Sequence, residues 1–492
     1  MRFPRRLPGA ALALVIAFVI SRLVFALLGL RYDARLLDAA WQFMDPSWLR
    51  EELLRSLLYY HAQPPLFNAG LGAIYKLFSG HEVAVLATLY HLFGLALCLG
   101  LYALLRVFRV RTALALVLTV LWTISPAAIL YEEWAFYTYP LALMLVLAVL
   151  LCYRYLRTGG LAPALGLFVL LAAIALTRSM FHFAWFALCV GLVLAARPAS
   201  RRRTLMAAAL PGLAILGWML KNLIVFGGFW TSSWLGMSLW HVASWPVPEG
   251  ERVAMIQQGL LSPAAAVKSF SPLEAYGGAY GRAAETGIRA LDQTRKADGS
   301  PNFNHASYLA ISKDYLRDSF TLVRRRPLAY AKGVLRAFTF YFTPATDYSQ
   351  LDANRPLLQP WERLYDVAAG QIANLPPSRA EREQKAVSER EKLQRVGLLL
   401  VLALPLVFAF GCRQALRWRA DPLRHTERFT LGFLLLNVAY VTAVGNLVEC
   451  GENMRFRFML EPFFVVLGGL MLGDLFDKRP LIGRRFLRRA GG

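Results

Sequence analysis

Residues 1–38 read MRFPRRLPGAALALVIAFVISRLVFALLGLRYDARLLD. Arg2, Arg5 and Arg6 precede an apolar run from Ala10 to Leu30, and Arg31-Tyr32-Asp33 follows it. A helix of that length rises about 30 Å, the thickness of a bilayer's hydrocarbon core. The run is too long for the apolar part of a signal peptide, and no small-x-small cleavage site follows closely. The reading is a retained first span with a basic start inside and an acid emerging outside. Arg22 within it must snorkel or find a partner, because an ionised group at mid-membrane costs about 2.5–3.5 kcal/mol on insertion scales.

The same alternation continues along all 492 residues, which are 57% hydrophobic and 17% charged, with a mean hydropathy of +0.44. Apolar segments at 10–30, 82–105, 112–130, 135–156, 161–177, 180–196, 204–224, 396–412, 429–447 and 458–476 predict ten spans. Arg106–Arg111, Arg154–Gly160, Arg197–Arg203, Arg413–Arg428 and the tail Lys478–Arg489 are the basic connections. Basic connections mark the cytoplasmic side. The outer set is then 31–81, Tyr131–Trp134, Thr177–Ser179, about 225–395, and Val448–Arg457. Two apolar stretches, 65–80 and 328–342, are too short or too interrupted to cross and read as interfacial or re-entrant helices. The expected fold class is an all-α polytopic membrane protein. It would have a transmembrane module over 1–226, a long outer region over 227–395, and closing spans with a basic tail over 396–492.

The net charge of +23 is explained by these loops, so nucleic acid is not an expected partner. Cys98, Cys152, Cys189, Cys412 and Cys450 form no C-x-x-C pair, which argues against a disulfide framework or a zinc ribbon. The mixed-charge run Arg379–Arg395 reads as a solvated helix with i,i+4 pairs. No repeat of fixed period is present.

Chemistry-bearing residues concentrate on the outer side. Asp33 follows the first span and Asp38 lies five residues on, too far round a helix to act as its neighbour. Asp33 reads either as a helix cap or as a general base. The first outer loop closes with His61-Ala62-Gln63-Pro64-Pro65-Leu66, in which the prolines end one element and begin another. Glu132 and Glu133 form an acidic turn that reads as solvated charge, as acceptor binding, or as hard oxygen ligands for Mg²⁺ or Mn²⁺. Outer cations are Arg178 (beside His182), Lys221, Arg455 and Arg457, the last two in Glu449-Cys-Gly-Glu452-Asn453-Met-Arg455-Phe-Arg457. Converging on one cavity, they would cradle an anion; taken singly, they mark an interface. Trp134, Phe136, Tyr137, Tyr139, Phe181, Phe183 and Trp185 read as interface-belt aromatics rather than sugar platforms.

An acid just beyond the first span, a long amphipathic outer loop and the Gln63-Pro64-Pro65-Leu66 lead into an apolar helix resemble the GT-C glycosyltransferase superfamily. That group includes protein O-mannosyltransferases, aminoarabinose transferases and lipopolysaccharide sugar transferases. The resemblance is strongest over residues 10–225, resumes at Glu449–Pro462 and finds no motif in 230–395. It implies a polyprenyl-phosphate-sugar donor, a glycan, lipid or protein acceptor, and transfer on the periplasmic face of a bacterial inner membrane. The family's outer-loop acid would fall on Asp33, with Asp38 in reserve. His61, Gln63, Glu132, Glu133, Arg178, His182, Lys221, Glu452, Arg455 and Arg457 would serve donor or acceptor binding. Ala34 and Arg35 follow Asp33 where several members carry Asp-Glu or Asp-x-Asp, so the resemblance leaves a divalent metal open. A single displacement needs one base to take the acceptor's proton and cations to meet the charge growing on the departing phosphate. The rival readings are a lipid or glycan flippase and an envelope assembly protein. A flippase would favour internal repeats and helices interrupted at the midplane.

Overall fold

The computed structural model describes residues 7–280, 285–368 and 396–478. The basic start before Leu7, the mixed-charge run to Arg395 and the tail beyond Lys478 lie outside the described residues. All regular structure among the described residues is helical, with only isolated bridges such as Asp33 to Trp134. The principal helices are α1 (Leu7–Leu27), α2 (Leu66–Leu77), α3 (Glu82–Val107), α4 (Thr112–Thr123), α5 (Pro126–Glu132), α6 (Thr138–Thr158), α7 (Leu161–Thr177) and α8 (Phe183–Ala196). They continue with α9 (Arg201–Phe226), α10 (Leu235–Ser244), α11 (Ser307–Arg325), α12 (Pro327–Tyr341), α13 (Gln359–Ala368), α14 (Leu398–Arg417), α15 (His425–Val448) and α16 (Asn453–Lys478).

Seven of these are long and apolar enough to cross a membrane, α4 and α5 form one pair bent by 57°, and α7 and α8 are shorter apolar helices. Every predicted span therefore has a helical counterpart, and the chain is a multi-pass membrane protein. Helix α2, of 12 residues, rises about 18 Å and cannot cross.

One expected span is corrected. Residues 112–130 are not one helix, because Ser125 stops α4 and its side chain accepts from the Ala128 N–H at 3.2 Å, with Pro126 opening α5. The carbonyls freed at the break must be satisfied inside hydrocarbon. Trp361 Nε1 donates to the Ile124 carbonyl at 2.7 Å and Tyr365 Oη to that of Leu121 at 2.8 Å, both from α13.

The basic connections gather on one face. Arg197 donates to the Leu156 carbonyl at 2.6 Å, and Arg203 donates to that of Gly159, closing the carboxyl end of α6. Arg109 pairs with Glu427 at 2.9 Å on the same face. At the opposite face the Asp33 N–H donates to the Glu133 carbonyl at 2.7 Å, and the Ala135 N–H to that of Asp33 at 3.1 Å. The expected aromatic belt is also corrected: Trp134, Phe136, Tyr137, Tyr139, Phe181 and Trp185 are buried core residues, and Phe183 is half-buried. Tyr131 stacks on Phe458 with centroids 4.0 Å apart and Trp134 on Phe136 at 4.5 Å. Each such pair adds about 0.5–1.5 kcal/mol beyond area burial.

Candidate active site

A cavity of about 1030 Å³ opens on the face opposite the arginine-rich connections. Its wall takes residues from the first outer loop, the turn after α7, one face of α10, the segment after α12, and the junction of α15 and α16. Long-range polar clamps hold these pieces. Asn304 Oδ1 accepts from the His61 and Ala62 N–H groups at 2.8 and 3.1 Å, and Ser232 Oγ donates to the Ala62 carbonyl at 2.5 Å. Lys296, buried, donates to the Asp38 and Ala40 carbonyls, both at 2.7 Å. Burial pulls its ammonium down to about 8, with Asp298, Asp45 and Asp38 opposing the pull.

One corner of the cavity is cationic. Arg178 Nη1 donates to Tyr137 Oη at 3.1 Å, and its guanidinium lies 4.5 Å from the Phe456 ring centroid. Arg455, 1% exposed, pairs with Glu452 and lies 4.8 Å from the Phe136 ring and 5.1 Å from that of Tyr348. Arg178 Nε and Arg455 Nε and Nη1 are buried with no hydrogen-bond partner. Buried N–H groups are nearly always paired, so unpaired charged donors on a cavity wall mark a place where an acceptor belongs. Burial, then the charge of Arg455, pulls Arg178 below its ordinary value. An anion between the two would oppose that pull.

Carboxylates sit beside this corner. Glu452 accepts from Tyr348 Oη at 2.9 Å. Glu449, on the cavity wall, lies 4.0 Å from His241 Nδ1, and burial followed by the charge of Glu452 raises its carboxyl to about 7.

The structure brings Gln63, Arg178, His182, Glu452 and Arg455 to this cavity. Gln63 Oε1 accepts from Ser179 Oγ at 3.3 Å, and His182 caps α8 by accepting the Ala184 N–H at 3.4 Å. Seven other candidates are placed elsewhere. Both oxygens of Asp33 accept from Arg35, at 2.9 Å each, and its carboxylate stands outside the cavity wall. Trp134, bridged to Asp33 through the backbone, packs edge-on against Tyr348 of the cavity wall. Asp38 is exposed, with its carbonyl on Lys296. His61 is fully buried, 2.8 Å from Ser233 Oγ, and burial with the charge of Lys221 lowers its imidazole to about 3. Lys221 donates to the Tyr60 carbonyl at 2.7 Å and lies 3.5 Å from a Trp218 ring centroid. Arg457 donates to the Thr343 carbonyl at 2.7 Å and to that of Tyr341, tying the end of α12 to α16.

Glu132 and Glu133 lie in a separate polar cluster. Ligand atoms of His91, Glu132 and Glu133 fall within 4.8 Å of one another, close enough to surround an ion. Yet both oxygens of Glu132 accept from Arg22, at 2.8 and 2.5 Å, and one also accepts from Tyr139 Oη at 2.6 Å. Arg22 has thus found its partner and neutralises Glu132, while Glu133 meets His91 Nε2 at 3.0 Å. This cluster fits a hard divalent ion poorly.

Tyr348 and His241 line the cavity though no sequence signal pointed to them, Glu449 was visible only through its place in the Glu449–Arg457 run, and Tyr137 was read as a belt aromatic.

Among solved structures, the chain is similar to the archaeal oligosaccharyltransferase AglB from Archaeoglobus fulgidus, solved with an inhibitory peptide and a dolichol-phosphate. The likeness has a TM-score of 0.39 at 14% identity, over 98% of this chain and 52% of that one. The chain spans about half the length of that structure, and a superposition this loose transfers no residue roles. No protein-family model and no curated protein matches the sequence.

Proposed function

We propose that this chain is a GT-C-type glycosyltransferase that takes a sugar from a polyprenyl-phosphate lipid and passes it to an envelope acceptor. The single observation that carries the reading is the cavity corner where Arg178 and Arg455 present buried, unpartnered N–H groups. A phosphate there would meet cations aimed at the charge that grows as the sugar leaves. Phe229 and Leu235, on the cavity wall and half-exposed on the apolar exterior, suit the prenyl chain of such a donor.

The displacement needs a carboxylate within reach of the acceptor hydroxyl. Glu449 lines the cavity and titrates near neutrality, so the geometry favours it as base. Asp33, the base favoured by its sequence position, is engaged by Arg35 and pairs through its backbone with the 133–135 turn. In the proposed step the acceptor oxygen attacks the anomeric carbon and its proton passes to Glu449. The anomeric carbon–oxygen bond breaks with its electron pair going to the polyprenyl phosphate.

The arginine-rich connections opposite the cavity support a periplasmic active site in a bacterial inner membrane. The proposed organisation keeps a transmembrane module over 1–226, an outer region over 227–395 and closing helices over 396–492. The test is purified protein in nanodiscs with a polyprenyl-phosphate-linked sugar and an envelope extract. Release of free polyprenyl phosphate coupled to a new glycosidic product is expected. Movement of the lipid across sealed vesicles without covalent change would replace the enzyme with a flippase.

A further inference from the structure

The cavity wall contributed by the first outer loop has a different chemistry from the arginine corner. Trp41 lines the cavity with 44% of its surface exposed, an unusual state for a tryptophan with a packed interior beside it. Its position is fixed from behind. Trp41 stacks on Phe270 at 5.7 Å with an interplanar angle of 18°, and Phe303 packs against it at 4.9 Å. Trp234 closes the cluster, 5.1 Å from Phe270.

Phe270 reaches this position at a conformational cost. Its φ is +58°, in the left-handed region that a bulky side chain rarely enters. The surrounding loop holds it there: Tyr315 Oη donates to the Val267 carbonyl at 2.9 Å and Tyr276 Oη to that of Lys268 at 3.4 Å. Backbone strain of this kind persists where neighbours over-determine it, and it clusters at ligand sites. The strained turn seats the Phe270 ring against Trp41, and both rings line the cavity.

Around the rings the wall carries amide and hydroxyl groups, Gln42, Gln63 and Ser269. Flat aromatic faces beside amides and hydroxyls match the two chemistries of a sugar ring, its C–H face and its hydroxyl rim. The wall is joined to the arginine corner by short contacts: Ser179, next to Arg178, donates to Gln63, and Ser232, which binds the Ala62 carbonyl, accepts from the Trp234 N–H at 3.2 Å.

We propose that the Trp41–Phe270 wall is the acceptor subsite and that the acceptor is a saccharide, stacked on the exposed face of Trp41. This rests on the glycosyltransferase reading above and names the acceptor class within it. The sugar ring lies against Trp41 with its hydroxyls on Gln42, Gln63 and Ser269, and the attacking hydroxyl points toward the arginine corner.

The test uses full-length protein in nanodiscs and saturation-transfer NMR with three probes. These are oligosaccharides released by mild acid from the host envelope, unglycosylated peptides from the same envelope, and polyprenyl phosphate. Saturation of sugar protons by the wild type is expected, weakened roughly five- to tenfold in Trp41→Ala and largely kept in Trp41→Tyr, as loss and retention of one ring contact imply. Equal melting temperatures, and polyprenyl phosphate binding unchanged in both variants, show that the fold and the donor corner are intact. If Trp41→Ala unfolds, the Trp41→Tyr and wild-type titrations against the peptide probe decide the matter. Binding of the peptides in place of the saccharides, or saccharide binding indifferent to Trp41, overturns the proposal. Failure of polyprenyl phosphate to bind the wild type while saccharides bind would instead sink the donor reading and leave this subsite standing.

Discussion

Arg178 and Arg455 share two aromatic rings. The Arg178 guanidinium lies 5.3 Å from the Tyr137 centroid and 4.5 Å from that of Phe456, and Arg455 lies 5.9 and 5.7 Å from the same rings. Two like charges held this close by ring faces are tolerable because Glu452 offsets one of them. Both arginines line the cavity, and the remaining positive charge would suit an anion bound there.

Removing either guanidinium should therefore weaken the donor phosphate. A hydrogen bond to a charged group is worth about 1.5–3 kcal/mol, so Arg178→Ala or Arg455→Ala should raise the donor KM roughly 10- to 100-fold. Arg455→Lys should recover little, since an ammonium cannot replace two fixed N–H directions. Transfer rates titrated with donor check this; unchanged donor dependence in both alanine variants would remove the anion corner.

Glu449→Gln should lower kcat by about 10²–10⁴-fold, the usual contribution of a general base. Asp33→Asn should lower it less than about tenfold. A carboxyl raised to about 7 acts as a base only once its proton is gone, so the wild-type rate should climb with pH through that value. Glu449→Gln should lose the acid limb. A loss of rate that follows Asp33→Asn instead would return the base to the first outer loop.

His61 bears on stability rather than turnover. Its folded value of about 3 lies below the ordinary 6.5, so between the two the unfolded chain binds a proton that the folded chain refuses. Its contribution should be full above about pH 6.5 and fall as the pH drops toward 3. His61→Asn should cost about 1–2 kcal/mol at pH 8 through the lost Ser233 contact. Its acid destabilisation should be shallower than that of the wild type in thermal melts from pH 8 to 5.

Arg22→Ala strands Glu132 in the bundle, and breaking a buried ion pair this way costs about 3–5 kcal/mol. A lower melting temperature and poor membrane yield are expected. A chelator should leave the wild-type rate intact. A rate that falls with chelator and returns with Mn²⁺ would show that His91, Glu132 and Glu133 hold an ion despite Arg22.

The helices were legible because each is written locally. Hydropathy over a span and arginines at its cytoplasmic end need only neighbouring residues, and α7 falls on the very segment predicted for it. The bend at Ser125-Pro126 was equally written, as a cap followed by a first-turn proline, but continuous apolarity hid it. The site was legible by half. Arg178 and Arg455 stood out as outer cations, whereas Lys221 and Arg457 looked the same and proved to bind carbonyls. A side chain's partner is set by contacts between distant segments, such as Asn304 meeting His61, and no local pattern announces them. His241, Tyr348 and Phe270 come from the stretch where no motif was found, and only folding brings them to the cavity.

Helix α13 imposes a mechanical asymmetry on the molecule. Trp361 and Tyr365 plug the two bare carbonyls at the kink between α4 and α5, so lifting α13 away would open polar backbone to hydrocarbon. Just upstream, Arg355 is locked to Asp347 and Glu362 at 2.6 Å each, which extends the anchorage to the edge of the cavity. That flank is pinned through both backbone and ion pairs, whereas on the other side Leu235 and Trp245 of the α10 region stand exposed and Arg336 of α12 rests on Trp245 at 4.1 Å.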